Sequence, residues 1–175
     1  MNDIEIPIKE NKDHYTQKKE NQLVETPGLV DLQVNGFGGV DFNTPGISPE
    51  LFQRSLEAIL SSGVLTFLPT IITGSEKHMK NCLSEIENFR DSMPLAKSMI
   101  AGYHIEGPFL SKLKGFSGCH PTKHMCDVDH EMFLRLQEAA GGNIRMVTLA
   151  PEIEGSIEFI NKLVCDEIIP AIGHT

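Results

Sequence analysis

From Pro27 onward, five short apolar runs alternate with four amphipathic stripes, a pattern that restricts the chain to a parallel α/β architecture. The runs are Leu29–Asn35, Leu65–Ile72, Met99–Ile105, Ile144–Leu149 and Ile168–Ile172. The stripes have helical spacing: Phe52, Leu56, Ile59 and Leu60; Met79, Cys82, Leu83, Ile86 and Phe89; Phe133, Leu136 and Ala140; Ile157, Ile160 and Val164. Ser48-Pro49 and Ser75 have the chemistry of helix starts, and Gly63 that of a stop. Such alternation fits either an open doubly wound sheet or the first part of an eight-fold barrel. Asn35-Gly36-Phe37-Gly38-Gly39 lacks the GxGxxG spacing of a dinucleotide fold, and no helix follows it directly, which weighs against the first alternative.

Residues 1–26 are rich in Lys, Glu, Asn and Gln, and only Ile4-Glu5-Ile6-Pro7-Ile8 alternates like a strand. They read as a polar tail or a remnant of something larger, with residues 27–175 as the barrel portion. A formal net charge of -9 argues against general nucleic-acid or anionic-membrane binding, because phosphate surfaces are met by basic ones. Cys82, Cys119, Cys126 and Cys165 show no CxxC spacing and point to a reducing compartment, and no apolar run reaches the length of a membrane span. The chain is therefore expected to be cytoplasmic.

Chemistry in parallel α/β folds gathers at the carboxyl ends of strands, and here those ends are polar. The first run ends in Gln33 and Asn35, the third in His104 and Glu106, the fourth in Glu152 past Pro151, and the fifth in His174. Carboxylate and imidazole together form the ligand set of zinc or iron. Each residue also has a plainer role open to it. A single Glu can cap or pair, Gln33 and Asn35 can serve a turn before Gly36, and His104 can be a buried, hydrogen-bonded imidazole. The stretch Ser111 to His124 holds Lys112, Lys114, Lys123, His120 and His124 without an acidic residue, so it is either a solvated basic loop or an attractor for an anionic substrate.

Six segments in order, PGLVDLQVNGFGGVDFN (27–43), TFLPT (66–70), GYHIEGPFLS (102–111), GCHP (118–121), VTLAPE (147–152) and IGHT (172–175), resemble the N-acetylglucosamine-6-phosphate deacetylases of the amidohydrolase superfamily. The resemblance implies the N-terminal portion of a (β/α)8 barrel, with about five parallel strands, four helices and little or no β-sandwich domain. It implies hydrolysis of the acetamide of N-acetylglucosamine 6-phosphate to glucosamine 6-phosphate and acetate. It also implies one divalent metal ion, zinc or iron, held by Glu106 and His174. His120 and its neighbour Cys119 would contact the substrate, a phosphorylated amino sugar. Gln33 and Asn35 would line the site in place of the HxH metal pair of many amidohydrolases, favouring a single metal. The family's homodimer is not assured for this chain. A third His ligand and the acid-base Asp of the family lie on later strands than this sequence contains. Two protein donors fall short of the three usual in catalytic zinc sites, so the chain is expected to be incomplete and inactive alone. An unclosed five-strand portion is further expected to leave two sheet edges and an apolar inner face exposed. Another amidohydrolase acting on a small or cyclic amide, and a non-catalytic metal-binding or interaction fragment, are the alternatives.

Overall fold

The computed structural model describes residues 28–175 together with the backbone of two short strands before them, β1 (Ile4–Pro7) and β2 (Leu23–Thr26). These two pair antiparallel, Ile4 opposite Thr26. The strand-like alternation at Ile4 is thus a strand, while the remainder of the expected polar tail lies outside the described residues.

Next come β3 (Leu29–Val34), β4 (Gly36–Phe37), β5 (Val40–Asp41) and α1 (Pro49–Ser61). They are followed by β6 (Val64–Ile72), α2 (Glu76–Ser92), α3 (Pro94–Met99) and β7 (Tyr103–Glu106). The chain continues with a 3-10 turn at Thr122–His124, then α4 (His130–Ala139), β8 (Ile144–Leu149), α5 (Ser156–Cys165) and β9 (Ile169–Ile172). Both predicted helix starts are built as the sequence suggests. The Ser48 hydroxyl accepts from the Leu51 amide with Pro49 in the first turn, and the Ser75 hydroxyl accepts from the His78 amide.

The main sheet runs β3-β6-β7-β8-β9, every neighbouring pair parallel. A doubly wound sheet reverses its strand order at a switch point, whereas this one never does. Its curvature is visible in side chains that reach over an intervening strand. His104 on β7 bonds the Leu32 carbonyl of β3 across β6 at 3.0 Å, and Gln33 on β3 reaches Glu106 on β7 at 3.1 Å. Strands two apart in a flat sheet are separated by roughly 9.5 Å, so these contacts belong to a curled sheet. The architecture is an arc of a (β/α) barrel, as expected, with the core between sheet and helices around Phe52, Phe67, Ile71, Leu83, Ile105 and Val147.

Three expectations need correction, and β3 adds an observation of its own. Met99 ends a fifth helix, α3, instead of opening a strand, because Pro94 at its first turn starts a new helix; Ile100 then makes only an isolated bridge to Phe67. The buried face of α5 is Ser156, Phe159 and Leu163, while Ile157 and Val164 are 64% and 59% exposed. Apolar residues lie on both sides of that helix, and the larger ring wins the core: Phe159 meets Phe133 at 5.1 Å and Phe109 at 5.5 Å. On β3 only Val34 is buried, and Val30 and Leu32 are exposed on this edge strand. The inner face is polar where Gln33, Thr70, His104, Glu106 and Thr148 meet, not apolar; large apolar side chains are exposed on the edge strands instead, including Ile169 and Ile172 of β9.

At the amino end of β7, the fully buried Tyr103 hydroxyl donates to Glu87 of α2 at 2.6 Å. Glu87 also accepts from Arg90 and Asn143. Burial, with the Glu87 carboxylate next, pushes the Tyr103 phenol far above its ordinary value. Tyr103→Phe leaves that carboxylate short of a donor and is expected to cost about 1–3 kcal/mol. Urea denaturation of the two proteins measures it, and a difference near zero would show that Arg90 and Asn143 suffice.

Candidate metal centre at the strand ends

Glu106 is the last residue of β7, and its carboxylate is the hub of the carboxyl face of the sheet. The Gln33 side-chain amide donates to Oε2 at 3.1 Å, leaving Oε1 to face two imidazoles. His174, two residues past β9, places Nε2 3.2 Å from Oε1. His120, from the long loop after β7, places its Nε2 3.7 Å from the same oxygen. The two rings meet edge to face, 4.4 Å between centroids, and one ligand atom from each of Glu106, His120 and His174 lies within 4.8 Å of the others.

Local backbone chemistry brings these groups together. His174 takes a φ of 57°, and Gly118, at φ 56°, leaves room for its ring: a Cβ there would approach Cε1 to 3.1 Å. The Ser111 amide donates to the His174 carbonyl at 3.1 Å, tying the loop to the end of β9. Left-handed backbone costs a residue with a side chain on the order of 1 kcal/mol, a strain that collects at functional sites.

The His174 tautomer is set by its neighbour. Nδ1 lies 2.8 Å from the Phe116 carbonyl, which can only accept, so Nδ1 carries the hydrogen and the neutral ring turns the Nε2 lone pair toward Glu106. A lone pair facing a carboxylate is repulsive until a positive charge lies between them. A proton on Nε2 or a metal cation satisfies it, so the donor set fits a divalent ion of the zinc or iron type. The Glu106 carboxyl is drawn from 4.5 to about 2, the His120 imidazole being the largest influence, with burial opposing and His174 and His104 adding to it.

Other residues singled out in the sequence fall elsewhere. His104 is buried beneath the cluster, its Nδ1 bonded to the Leu32 carbonyl and its Nε2 receiving the Thr148 hydroxyl at 2.7 Å. Burial lowers its pKa, and the bonds describe a neutral structural imidazole. Asn35 is exposed and acts through its carbonyl, which accepts from the Phe42 amide. Cys119 is exposed while His120 beside it is buried. Glu152 is exposed and accepts from the Thr175 hydroxyl at 2.5 Å, outside the cluster. Lys112, Lys114 and Lys123 are exposed.

Two residues of the site escaped the sequence argument. Asn43 stitches the hairpin loop to the end of β6, accepting from the Ile72 amide at 2.8 Å and donating to the Thr70 carbonyl at 3.0 Å. Thr73, just past β6 and buried, bonds His120 Nδ1 at 2.9 Å. Inspecting the end of the second strand in the manner of the other four would have found Thr73.

No family-wide sequence model matches the chain. Individual relatives do. It is 34% identical over 160 residues to an N-acetylglucosamine-6-phosphate deacetylase of Caenorhabditis elegans, covering 87% of this chain and 37% of that protein. The Homo sapiens enzyme of the same name is 35% identical over 155 residues, covering 85% and 36%. Among solved structures, the Mycobacterium smegmatis N-acetyl-D-glucosamine-6-phosphate deacetylase, an Asp-to-Ala variant in complex with N-acetyl-D-glucosamine-6-phosphate, superposes with a TM-score of 0.74 at 31% identity, over 85% of this chain and 37% of its own. The Pasteurella multocida enzyme gives 0.70 at 33% identity, covering 84% and 37%. The chain therefore spans somewhat over a third of the length of these relatives and, over that stretch, is similar in sequence and in fold to N-acetylglucosamine-6-phosphate deacetylases.

Proposed function

We propose that this chain carries the metal-binding part of a deacetylase that hydrolyses the acetamide of N-acetylglucosamine 6-phosphate to glucosamine 6-phosphate and acetate. The observation that carries this reading is the convergence of Glu106, His120 and His174 at the strand ends, within a sequence that matches that family. Glu106 and His174 hold one divalent ion, zinc or iron. When bound, such an ion supplies polarisation of the amide carbonyl and a more acidic water. Gln33 turns the Glu106 carboxylate toward it, and Asn35 lines the same end of β3. The buried His120 and exposed Cys119 meet the acetamide portion of the substrate. Lys112, Lys114 and Lys123 attract its phosphate, in a chain acidic overall.

Residues 27–175 act as the barrel unit, and 1–26 stand outside it. The cysteines are unpaired among the described residues, which suits a cytoplasmic protein, and no helix there is long and apolar enough to cross a membrane. A homodimer is not assigned.

The cluster holds a single carboxylate, already committed as a ligand. General acid-base catalysis contributes about 10²–10⁴-fold, so the chain alone is expected to release acetate at least about 100-fold more slowly than a full-length family member. Proton NMR of the zinc-supplemented chain with N-acetylglucosamine 6-phosphate tests this. Slow acetate release that disappears in Glu106→Gln supports the reading. A rate equal to that of a full-length enzyme would refute the single-carboxylate argument. Neither binding nor release, or cleavage of a cyclic amide instead, would overturn the substrate.

A further inference from the structure

Gln33 donates to Glu106 Oε2 although it is exposed on the edge strand, so packing does not hold its amide there and the backbone beneath must. That backbone is irregular. From Asp31, opposite Phe67, to Val34, opposite Pro69, β3 advances three positions while β6 advances two, and neither Leu32 nor Gln33 has a register partner. A bulge of this kind re-aims a side chain, and such bulges are over-represented beside active sites. Both neighbours of Gln33 are pinned by groups from inside the arc. The Val34 amide donates to Thr70 Oγ1 at 3.1 Å, and the Leu32 carbonyl accepts from His104 Nδ1 at 3.0 Å. We propose that His104 is a positioning residue of the candidate metal centre: by holding the Leu32 carbonyl it keeps the bulge in the shape that aims the Gln33 amide at Glu106 Oε2, and so leaves Oε1 for the cation. The proposal rests on the reading of Glu106 as a metal ligand and adds a residue that acts on it through Gln33.

The surroundings of His104 fit it to that role. It is 2% exposed, and a carbonyl can only accept, so Nδ1 carries the hydrogen while Nε2 accepts the Thr148 hydroxyl at 2.7 Å. Flipping the ring or moving its proton would leave a buried polar group unpaired. The other bonds around the bulge do not replace it. Asp31 Oδ1 accepts from the Gln33 amide at 3.0 Å, a bond within β3 itself, and Thr70 holds the Val34 side. The tie at Leu32 is made by His104, across β6. Its second nitrogen extends the same support toward the other ligand: a Cβ on Gly173, the residue before His174, would come within 2.7 Å of Thr148 Cγ2, so that segment rests on the residue His104 holds. Partners that orient a metal ligand typically change metal affinity by about 10–100-fold when removed.

An asparagine places its amide nitrogen where Nδ1 stands, and a glutamine reaches toward Nε2. His104→Asn therefore keeps the bond to Leu32, and His104→Gln keeps only the one to Thr148. Both are compared, in the 175-residue chain, with Gln33→Ala and with Gln33→Ala combined with His104→Gln. Zinc affinity is read by competition with a chromophoric chelator, and the Gln33 side-chain amide by proton–nitrogen NMR of the metal-free proteins. The expected result is about 10–100-fold weaker zinc binding in His104→Gln, with the Gln33 signal moved to that of a solvent-exposed glutamine, both restored in His104→Asn, and a double variant no weaker than Gln33→Ala. Unchanged affinity in His104→Gln, no rescue by Asn, or losses that add in the double variant would overturn the inference and leave Glu106 as a ligand. An Nε2–H His104 in the parent, seen by long-range proton–nitrogen NMR, would overturn it whether or not the variants fold. A parent that binds no zinc removes the metal reading, and the Gln33 signal in His104→Gln then decides alone whether His104 positions that amide.

Discussion

Glu106→Gln is expected to reduce zinc affinity by at least about 100-fold, because it removes the anionic donor of the cluster and leaves imidazoles facing a neutral amide. Isothermal titration of parent and variant with zinc measures this, and equal affinity would place the metal elsewhere. The same substitution has a second signature in the metal-free protein. The Glu106 carboxyl is held at about 2 in the fold against 4.5 when unperturbed, so the ionised form stabilises the fold by on the order of 3 kcal/mol. For a depressed carboxyl this contribution is fully present above the unfolded value and disappears as protonation proceeds. It is therefore complete above about pH 5 and is lost as pH falls from about 4.5 toward 2. Stability measured against pH should fall more steeply across that window in the parent than in Glu106→Gln. Parallel curves would show that the carboxylate is not coupled to its imidazoles.

Phe159→Ala is expected to cost about 3–5 kcal/mol in urea denaturation, the range for deleting a buried aromatic ring. The ring is 2% exposed and links α5 to Phe133 of α4 and Phe109 of the loop after β7. Ile157→Ser and Val164→Ser, on the opposite side of the same helix, should stay within about 0.5 kcal/mol. The reverse order would mean that α5 turns its other face to the sheet.

That helix also shows where the amino-acid sequence stops speaking. Ile157, Ile160 and Val164 satisfy helical spacing as well as Phe159 and Leu163 do, and only the neighbouring rings decide between them. The α1 stripe was legible, since its buried residues Phe52, Leu56 and Ile59 face otherwise polar positions. Strand ends were legible for the same reason: Glu106 and His174 interrupt apolar runs where polar residues need an explanation. Their partners were not. Gln33 and Glu106 lie 73 positions apart, and Thr73 and His120 lie 47 apart, so no local period relates them. Asn43 carries no periodic signal of its own, and its role emerges only where the hairpin loop sets it against β6. The short helix α3 was missed because Met99 and Ile100 are apolar enough to extend the strand that follows.

The bonds that cross from one strand to the next but one behave as tie rods beneath an arch. Gln33 to Glu106 and His104 to Leu32 each span β6, and His174 to Glu106 spans β8. An arch tied from within keeps its radius without a keystone. The spacing between Glu106 and His174 is accordingly held by bonds within this arc.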